Sequence, residues 1–218
     1  MKLNADLGEH EPPARTRALM RLIDLANIAC GVHAGSVRTM ERCVKLAIEH
    51  GVAIGAHPGI GNDSGRGAVK ISPAELEAAV IEQANALAEI ASRAGAKTQH
   101  VKLHGALYHA TEKSPALASR YVETVREHFP KWKIIALAGG RVAALAGKCA
   151  LAEVFADRGY RPDGTLVPRG EPGDLIADSR EAARQMAALR GDTVCVHADS
   201  PNALRIARAM REMLGPRR

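Results

Sequence analysis

Residues 26–57 have the sequence ANIACGVHAGSVRTMERCVKLAIEHGVAIGAH. Short apolar runs at 26–31 and 52–56 flank the segment 37–50, whose apolar residues recur at helical spacing. The pattern predicts a strand, a helix and a second strand, which is the repeating unit of a parallel sheet. A histidine follows each apolar run, His33 after the first and His57 after the second. Active sites of parallel α/β folds lie at the carboxyl ends of the strands, so both histidines are candidate site residues.

The same alternation continues along the whole chain. We predict strands at 2–7, 26–31, 52–56, 100–103, 133–138, 151–155 and 193–197. Helices are predicted at 14–25, 37–50, 73–94, 115–128, 141–150, 179–190 and 201–214. Polar groups at the ends of six strands converge most easily when the sheet closes. The expected fold is therefore α/β, a distorted seven-stranded (β/α) barrel forming a single domain over residues 1–218. No GxGxxG motif opens the first helix, which disfavours a dinucleotide-binding Rossmann domain.

Composition and charge narrow the classes of function. The chain has 218 residues, of which 46% are hydrophobic and 25% charged, as in ordinary globular proteins. Aromatic residues make up only 3%, so Ala, Leu, Val and Ile must build the core, and nucleic-acid binding by base stacking is disfavoured. The net charge of +6 comes from lysine and arginine residues scattered over many predicted helices. We therefore expect a solvated basic surface and no nucleic-acid partner.

The cysteines and the apolar runs predict the compartment. Cys30, Cys43, Cys149 and Cys195 form no CxxC pair, and no secretory leader is evident. We expect reduced, mostly buried thiols in a cytoplasmic protein. No run approaches the roughly 18 apolar residues that a membrane span requires, so no membrane association is expected.

Further acid–base groups end the remaining apolar runs. The candidates beyond His33 and His57 are Asp6, Lys102, His104, Glu153, Asp157, Arg158, His197 and Asp199. One histidine at a strand end is most often structural, but four at different strand ends favour a hydrolase pocket that transfers protons or binds metal. Glu153 and Asp157 lie on the same face of an extended strand, where a structural ion-pair network is the alternative. Asp6, His33 and His57 could form a facial site for a divalent metal.

Two glycine-rich segments require separate interpretation. The segment GGRVAALAGKCA at 139–150 is not a P-loop, because the spacing before Gly147 is wrong and Cys149 occupies the Ser/Thr position. The segment HPGIGNDSGRG at 57–67 follows a strand and is either an active-site loop or a plain surface turn.

Six stretches together resemble the LamB/YcsF family, whose characterised members are the A component of the ATP-hydrolysing 5-oxoprolinase. They are NADLGE (4–9), ANIACGVHAG (26–35), GVAIGAHPG (51–59), HVKLHGALY (100–108), EVFADRGYRPDGTLVPRG (153–170) and CVHADSP (195–201). These stretches extend from the first predicted strand to the last, so the resemblance covers essentially the whole chain. Within it, Ser36 replaces the acid that usually follows HAG.

The resemblance implies a fold, a reaction and a set of site residues. The implied fold is similar to glycoside hydrolase/deacetylase barrels. The implied reaction is the ATP-dependent opening of 5-oxo-L-proline to L-glutamate with partner subunits B and C, which would bind most of the ATP. The resemblance places catalysis on Asp6, His33, His57, Lys102, His104, Glu153, Asp157 and His197. By the same resemblance, Asn27, Arg158 and Asp199 bind the small-molecule substrate.

Individual roles within this set stay open at the level of sequence. Asp6 or a histidine is the expected general base, while Lys102 and Arg158 would hold carboxylate or phosphoryl oxygens. One alternative function is a stand-alone, metal-assisted amidase or deacetylase on the same barrel. Another is a non-catalytic scaffold or sugar-binding relative. A homo-oligomer is compatible with the sequence.

Overall fold

The barrel is closed and consists of seven parallel strands in chain order. The structure is a computed structural model that describes residues 1–61, 69–200 and 202–217. The strands are β1 (Lys2–Leu7), β2 (Leu25–Ala29), β3 (Ala53–His57), β4 (Thr98–Val101), β5 (Lys133–Leu137), β6 (Ala150–Phe155) and β7 (Thr193–Cys195). The α/β barrel predicted from the sequence is confirmed, and β7 pairs with β1 to close it. Part of the predicted loop at 57–67 lies outside the described residues.

Helices cover the barrel between the strands. They are α1 (Pro13–Met20), α2 (Val37–His50), α3 (Pro73–Arg93), α4 (Gly105–Lys113), α5 (Pro115–His128), α6 (Arg141–Ala146), α7 (Ser179–Ala188) and α8 (Ala203–Leu214). The polar residues that precede the helices act as caps. Ser36 accepts a hydrogen bond from the Thr39 amide, so the serine in place of the usual acid still caps α2. Ser72 and Glu75 form a capping box at the start of α3.

Three parts of the helix prediction differ clearly from the structure. The helix predicted at 141–150 ends at Ala146, and Ala150 is already the first residue of β6. The helix predicted at 14–25 ends at Met20, because Leu25 already pairs with β1 as the first residue of β2. Helix α4 was not predicted at all. Its first residue is Gly105, a poor helix former in the left-handed region at φ 38°, and it follows β4 within a few residues. The burial of Leu107 and Tyr108 stabilises α4 where local propensity does not.

The interior of the barrel is lined by polar side chains. Side chains alternate along β1, so Asn4 and Asp6 share one face while Leu3, Ala5 and Leu7 occupy the other. The Asn27 amide donates hydrogen bonds to Asn4 and to Asp6, both at 2.8 Å. Gly55 pairs with His100 on β4, and a methyl group on Gly55 would overlap the His100 ring. The glycine therefore makes room for a buried imidazole inside the barrel.

The outer core is aliphatic, as the composition predicts. It consists mainly of buried Leu, Ile, Val and Ala from the strands and from the helices that cover them. All four cysteines are unpaired thiols, and only Cys149 is not buried. Across the part of the chain that the structure describes, no helix is both long and apolar enough to cross a membrane.

Candidate active site

Three imidazoles and one carboxylate meet at the carboxyl end of the barrel. We call this group, Glu9, His33, His57 and His104, the Glu9 cluster. Glu9 Oε1 lies 2.8 Å from His104 Nδ1, 3.2 Å from His33 Nε2 and 3.4 Å from His57 Nε2. The rings of His33 and His104 stack with their centroids 4.0 Å apart. The four residues lie at or just beyond the carboxyl ends of four successive strands, β1 to β4, so the closed sheet brings them together.

The loop after β1 is shaped to present Glu9 to the histidines. Gly8 has φ +78°, a conformation that favours glycine, and it turns the chain over the mouth of the barrel. The Glu11 carboxylate accepts hydrogen bonds from the Gly8 amide at 2.7 Å and the Glu9 amide at 3.1 Å. It also accepts one from the Thr16 hydroxyl at 2.8 Å, which ties the loop to α1.

Burial and hydrogen bonding set the charges in the Glu9 cluster. Burial alone would raise the pKa of Glu9, but its interactions with the three neighbouring histidines outweigh burial and hold the pKa well below its usual range. Burial lowers the pKa of His33 to about 4, although the Glu9 carboxylate opposes this shift. At neutral pH Glu9 is therefore a carboxylate and His33 is a neutral imidazole.

A buried ion-pair network lies next to the Glu9 cluster. Lys102 Nζ is 2.9 Å from Asp6 Oδ1 and 2.9 Å from Glu153 Oε1, and it donates to Cys195 Sγ at 3.2 Å. The Tyr108 hydroxyl donates to Glu153 Oε2 at 3.0 Å. Burial would lower the pKa of Lys102, but Asp6, Cys195 and Glu153 together raise it well above its ordinary value. The ammonium group is thus a permanent cation inside the barrel.

Just beyond the ends of β6 and β7, Asp157 orients His197. The Asp157 carboxylate accepts hydrogen bonds from the His197 backbone amide at 2.9 Å and from His197 Nδ1 at 2.9 Å. Burial would raise the pKa of Asp157, but the interactions with His197 lower it. Because Nδ1–H donates to the carboxylate, the neutral His197 ring carries its lone pair on Nε2. The ring stacks on Phe155 with an interplanar angle of 9°.

A small cavity joins the ion pairs to this dyad. Among its lining residues are Asp6, Lys102, Tyr108, His109, Arg158 and His197. The Arg158 guanidinium donates to the carbonyl oxygens of Asp174 at 3.1 Å and Val167 at 2.7 Å. Burial lowers the pKa of Arg158 to about 10, which still leaves it charged at neutral pH. Two fixed cations and one oriented imidazole therefore border the same space.

A larger cavity, of about 810 Å³, lies at the opposite end of the barrel and includes Lys2, Gly51, Lys97 and Arg217 in its lining. Size alone would favour it as the binding site. We place the candidate site at the carboxyl end instead, because the oriented histidines and buried ion pairs lie there and (β/α) barrels build their active sites at that end.

A family model decides the relationship of this chain to known proteins. The model of the LamB/YcsF family matches residues 1–217. The chain belongs to the LamB/YcsF family. It is similar to the lactam utilization protein from Thermus thermophilus, with 36% identity and a TM-score of 0.88. That similarity covers 98% of this chain and 95% of the other.

More distant structures share the fold alone. An uncharacterized protein from Agrobacterium tumefaciens C58 has 13% identity and a TM-score of 0.54, covering 98% of this chain and 84% of that one. A GH113 β-1,4-mannanase has 11% identity and a TM-score of 0.52, covering 97% of this chain and 98% of that one. Barrels of this kind carry many chemistries, so the site must be argued from its own residues.

The structure of this LamB/YcsF chain gathers most of the site residues predicted from the sequence. Asn27 lies below the mouth, where it holds Asp6 and accepts a hydrogen bond from His100 Nε2 at 2.9 Å. Asp199 is exposed and is not among the described residues that line the cavity. The predicted metal triad contains Asp6, but Glu9 lies closer to the imidazole nitrogens. Asp6 Oδ2 is 3.6 Å from His57 Nε2, and both Asp6 oxygens already contact Lys102.

Glu9, Tyr108 and His109 lie in the acid–base motifs near the predicted strand ends but were not included in the predicted set of site residues. For Glu9 the available signal was the Gly8-Glu9 pair directly after a strand ending in Asp6, since a glycine at that point can turn a side chain back over the mouth. The segment at 139–150 forms α6 and a 3₁₀ turn at Gly147–Cys149. Gly147 and Lys148 therefore follow a helix, whereas a P-loop precedes one.

Proposed function

We propose that this chain is the hydrolytic component of a cytoplasmic, ATP-dependent lactamase that opens 5-oxo-L-proline to L-glutamate with partner subunits B and C. The observation that carries the proposal is the cavity in which the Asp157–His197 dyad, Lys102 and Arg158 meet, in a chain of the LamB/YcsF family. The 36% identity to a lactam utilization protein supports a lactam as the substrate class.

A five-membered lactam is a poor electrophile, and this defines what each residue must do. ATP supplies the driving force by phosphorylating the lactam oxygen, which makes the ring carbon open to attack. The residues at 139–150 do not form a P-loop, which is consistent with ATP binding mainly to the partner subunits.

His197 is the proposed general base. Its Nε2 lone pair accepts a proton from water as the water oxygen bonds to the ring carbon, and Asp157 stabilises the resulting imidazolium. The ring C–N bond then breaks as the nitrogen takes the proton back from the imidazolium, which gives γ-glutamyl phosphate. A second water molecule hydrolyses this acyl phosphate to glutamate and inorganic phosphate. This assignment narrows the choice between Asp6 and a histidine in favour of His197, because Lys102 and Asn27 already hold the Asp6 carboxylate.

The two cations of the cavity interact with different negative groups of the substrate. Lys102 stabilises the negative charge of the phosphorylated oxygen as water adds to the ring carbon, since a fixed charge in a dry site needs no reorganisation during the reaction. Arg158 is the candidate partner of the substrate carboxylate, because its charged guanidinium group lines the same cavity and is held in place by two carbonyl groups.

The test is reconstitution of this chain with subunits B and C, ATP and 5-oxo-L-proline, measuring glutamate and ADP together. Glutamate should form only with all components present. His197→Gln and Asp157→Asn should each lower kcat about 10²- to 10⁴-fold with little change in KM, as expected for loss of a general base or its orienting group. The matched control His128→Gln removes an exposed histidine at the end of α5 and should leave kcat unchanged.

A second function, a stand-alone metal-assisted amidase or deacetylase, is favoured by one specific observation, the Glu9 cluster. The same assay separates the two functions. Glutamate released by the metal-loaded chain without ATP and without partners would support the second function and contradict the first. Folded, associated subunits that consume ATP with a different lactam, and not with 5-oxo-L-proline, would refute the substrate assignment.

A further inference from the structure

From the geometry of the Glu9 cluster we infer a site for one divalent transition-metal ion, with Glu9, His33, His57 and His104 as ligands. The inference is separate from the proposed reaction, since it concerns what occupies the cluster. It also changes the ligand set expected from the sequence, with Glu9 in place of Asp6 and His104 added.

The spacing of the ligand atoms fits a metal ion. Zinc holds nitrogen and oxygen ligands at about 2.0–2.1 Å, so neighbouring ligand atoms of a tetrahedral site lie roughly 3.3 Å apart. The Glu9 Oε1 distances to the three imidazole nitrogens are 2.8, 3.2 and 3.4 Å. His104 Nδ1 and His57 Nε2 are 3.1 Å apart. All four ligand atoms lie within 4.8 Å of one another.

The tautomer of His57 gives an independent reason. His57 Nδ1 is 2.8 Å from the Lys102 carbonyl oxygen, which only accepts hydrogen bonds, so the ring proton is on Nδ1. The other ring nitrogen, Nε2, faces the centre of the cluster, where it lies 3.4 Å from Glu9 Oε1 and 3.1 Å from His104 Nδ1. His57 is therefore oriented to offer Nε2 as a ligand. Imidazoles that ligate metals usually donate their other N–H to a carbonyl or carboxylate in this way.

The surroundings hold a second ligand in place. A methyl group on Gly59 would overlap the His33 ring, so the glycine backbone packs directly against the imidazole. The Gln83 side chain fixes that backbone, donating to the Gly59 carbonyl at 2.9 Å and accepting from its amide at 3.1 Å. Such support from outside the ligand set is typical of metal centres.

Ligand chemistry restricts the choice of ion. Three imidazole nitrogens and one carboxylate oxygen suit Zn²⁺ and neighbouring transition metals, whereas Ca²⁺ and Mg²⁺ prefer all-oxygen sites. Glu9, His33 and His104 lie on the loops after β1, β2 and β4, and His57 ends β3, so a bound ion would join three loops and one strand end at the mouth of the barrel.

The experiment uses the full chain, free of any affinity tag and stripped with a chelator. Zn²⁺ and Co²⁺ are titrated by calorimetry, and the visible spectrum of the Co²⁺ form reports its coordination. We expect one equivalent of metal per chain, a raised Tm and a four-coordinate Co²⁺ spectrum. Glu9→Gln and His57→Gln should each weaken binding at least about tenfold. Should His57→Gln fail to fold, Glu9→Gln on the mouth loop still tests the site.

Two controls keep the result specific. His109→Gln removes another histidine at the mouth, and this variant should bind metal as the wild type does. Cys195→Ser tests the neighbouring side chains of Asp6, Cys195 and His197, which also lie close enough together to hold a metal ion. Failure of the folded wild type to bind Zn²⁺ or Co²⁺ stoichiometrically would overturn the inference. Binding lost in Cys195→Ser but retained in Glu9→Gln would also overturn the inference.

Discussion

Replacement of Lys102 by Met should destabilise the barrel more than almost any other single change of similar volume. The ammonium group lies 2.9 Å from a carboxylate oxygen of Asp6 and 2.9 Å from one of Glu153. Lys102 and Glu153 are 2% and 0% exposed, so water cannot replace the lost cation. Removal of one partner from a buried ion pair typically costs about 3–5 kcal/mol. In a domain of this size that corresponds to a fall in Tm of roughly 6–20 °C.

The measurement is urea unfolding of wild type and Lys102→Met at pH 7 and pH 5, with the exposed Lys113→Met as the matched control. In the variant, burial without the cation raises the pKa of Asp6, so this carboxyl takes up a proton as the pH falls. The difference in free energy of unfolding between the variant and the wild type should therefore be smaller at pH 5 than at pH 7. Adding Glu153→Gln to the variant should recover part of the loss. A loss below about 1 kcal/mol, equal to that of Lys113→Met, would refute the reasoning.

Three further changes test other parts of the site. The buried His100 has its pKa lowered to about 3 by burial and nearby cations, so unfolding takes up a proton below pH 6.5. Wild type should therefore lose about 2 kcal/mol more than His100→Gln between pH 6.5 and pH 5 in urea unfolding; equal losses would contradict this. Gly59→Ala should displace the His33 ring and lower metal affinity at least about tenfold without unfolding the chain, and wild-type affinity by calorimetry would argue against the contact. Arg158→Lys removes the fork that binds two carbonyl groups, so limited proteolysis within 159–175 should be faster, and an unchanged cleavage rate would count against that role.

The barrel could be predicted because its signal is local and repeated. Apolar runs of strand length alternate with helical periods, and the helices at 37–50 and 115–128 match the structure residue for residue. Helix α4 could not be predicted in this way, since it begins at a glycine only a few residues after β4. Its stability comes from the packing of Leu107 and Tyr108, which becomes visible only once the barrel has formed.

It was easier to predict which residues lie in the site than which of them contact one another. Strand ends of a closed parallel sheet meet at one edge, which brings His33, His57, His104 and His197 together whatever their roles. Distances between loop residues do not follow from spacing in the sequence. Glu9 lies two residues beyond β1, and only the turn at Gly8 places its carboxylate among the imidazoles. Asp6, on the strand itself, was the simpler choice for a metal ligand.

Asp6 lies between the Glu9 cluster and the cavity, and its carboxylate contacts charged or polar groups of both. One of its oxygens is 3.6 Å from the His57 nitrogen of the Glu9 cluster, while both contact the Lys102 ammonium that borders the cavity. A cation bound in the Glu9 cluster would attract the same Asp6 carboxylate that neutralises Lys102. Any change of charge in the cluster therefore alters the field at Lys102, across contacts of only a few ångströms in a poorly solvated interior. The buried ion pairs thus connect the Glu9 cluster to the cavity through a single carboxylate.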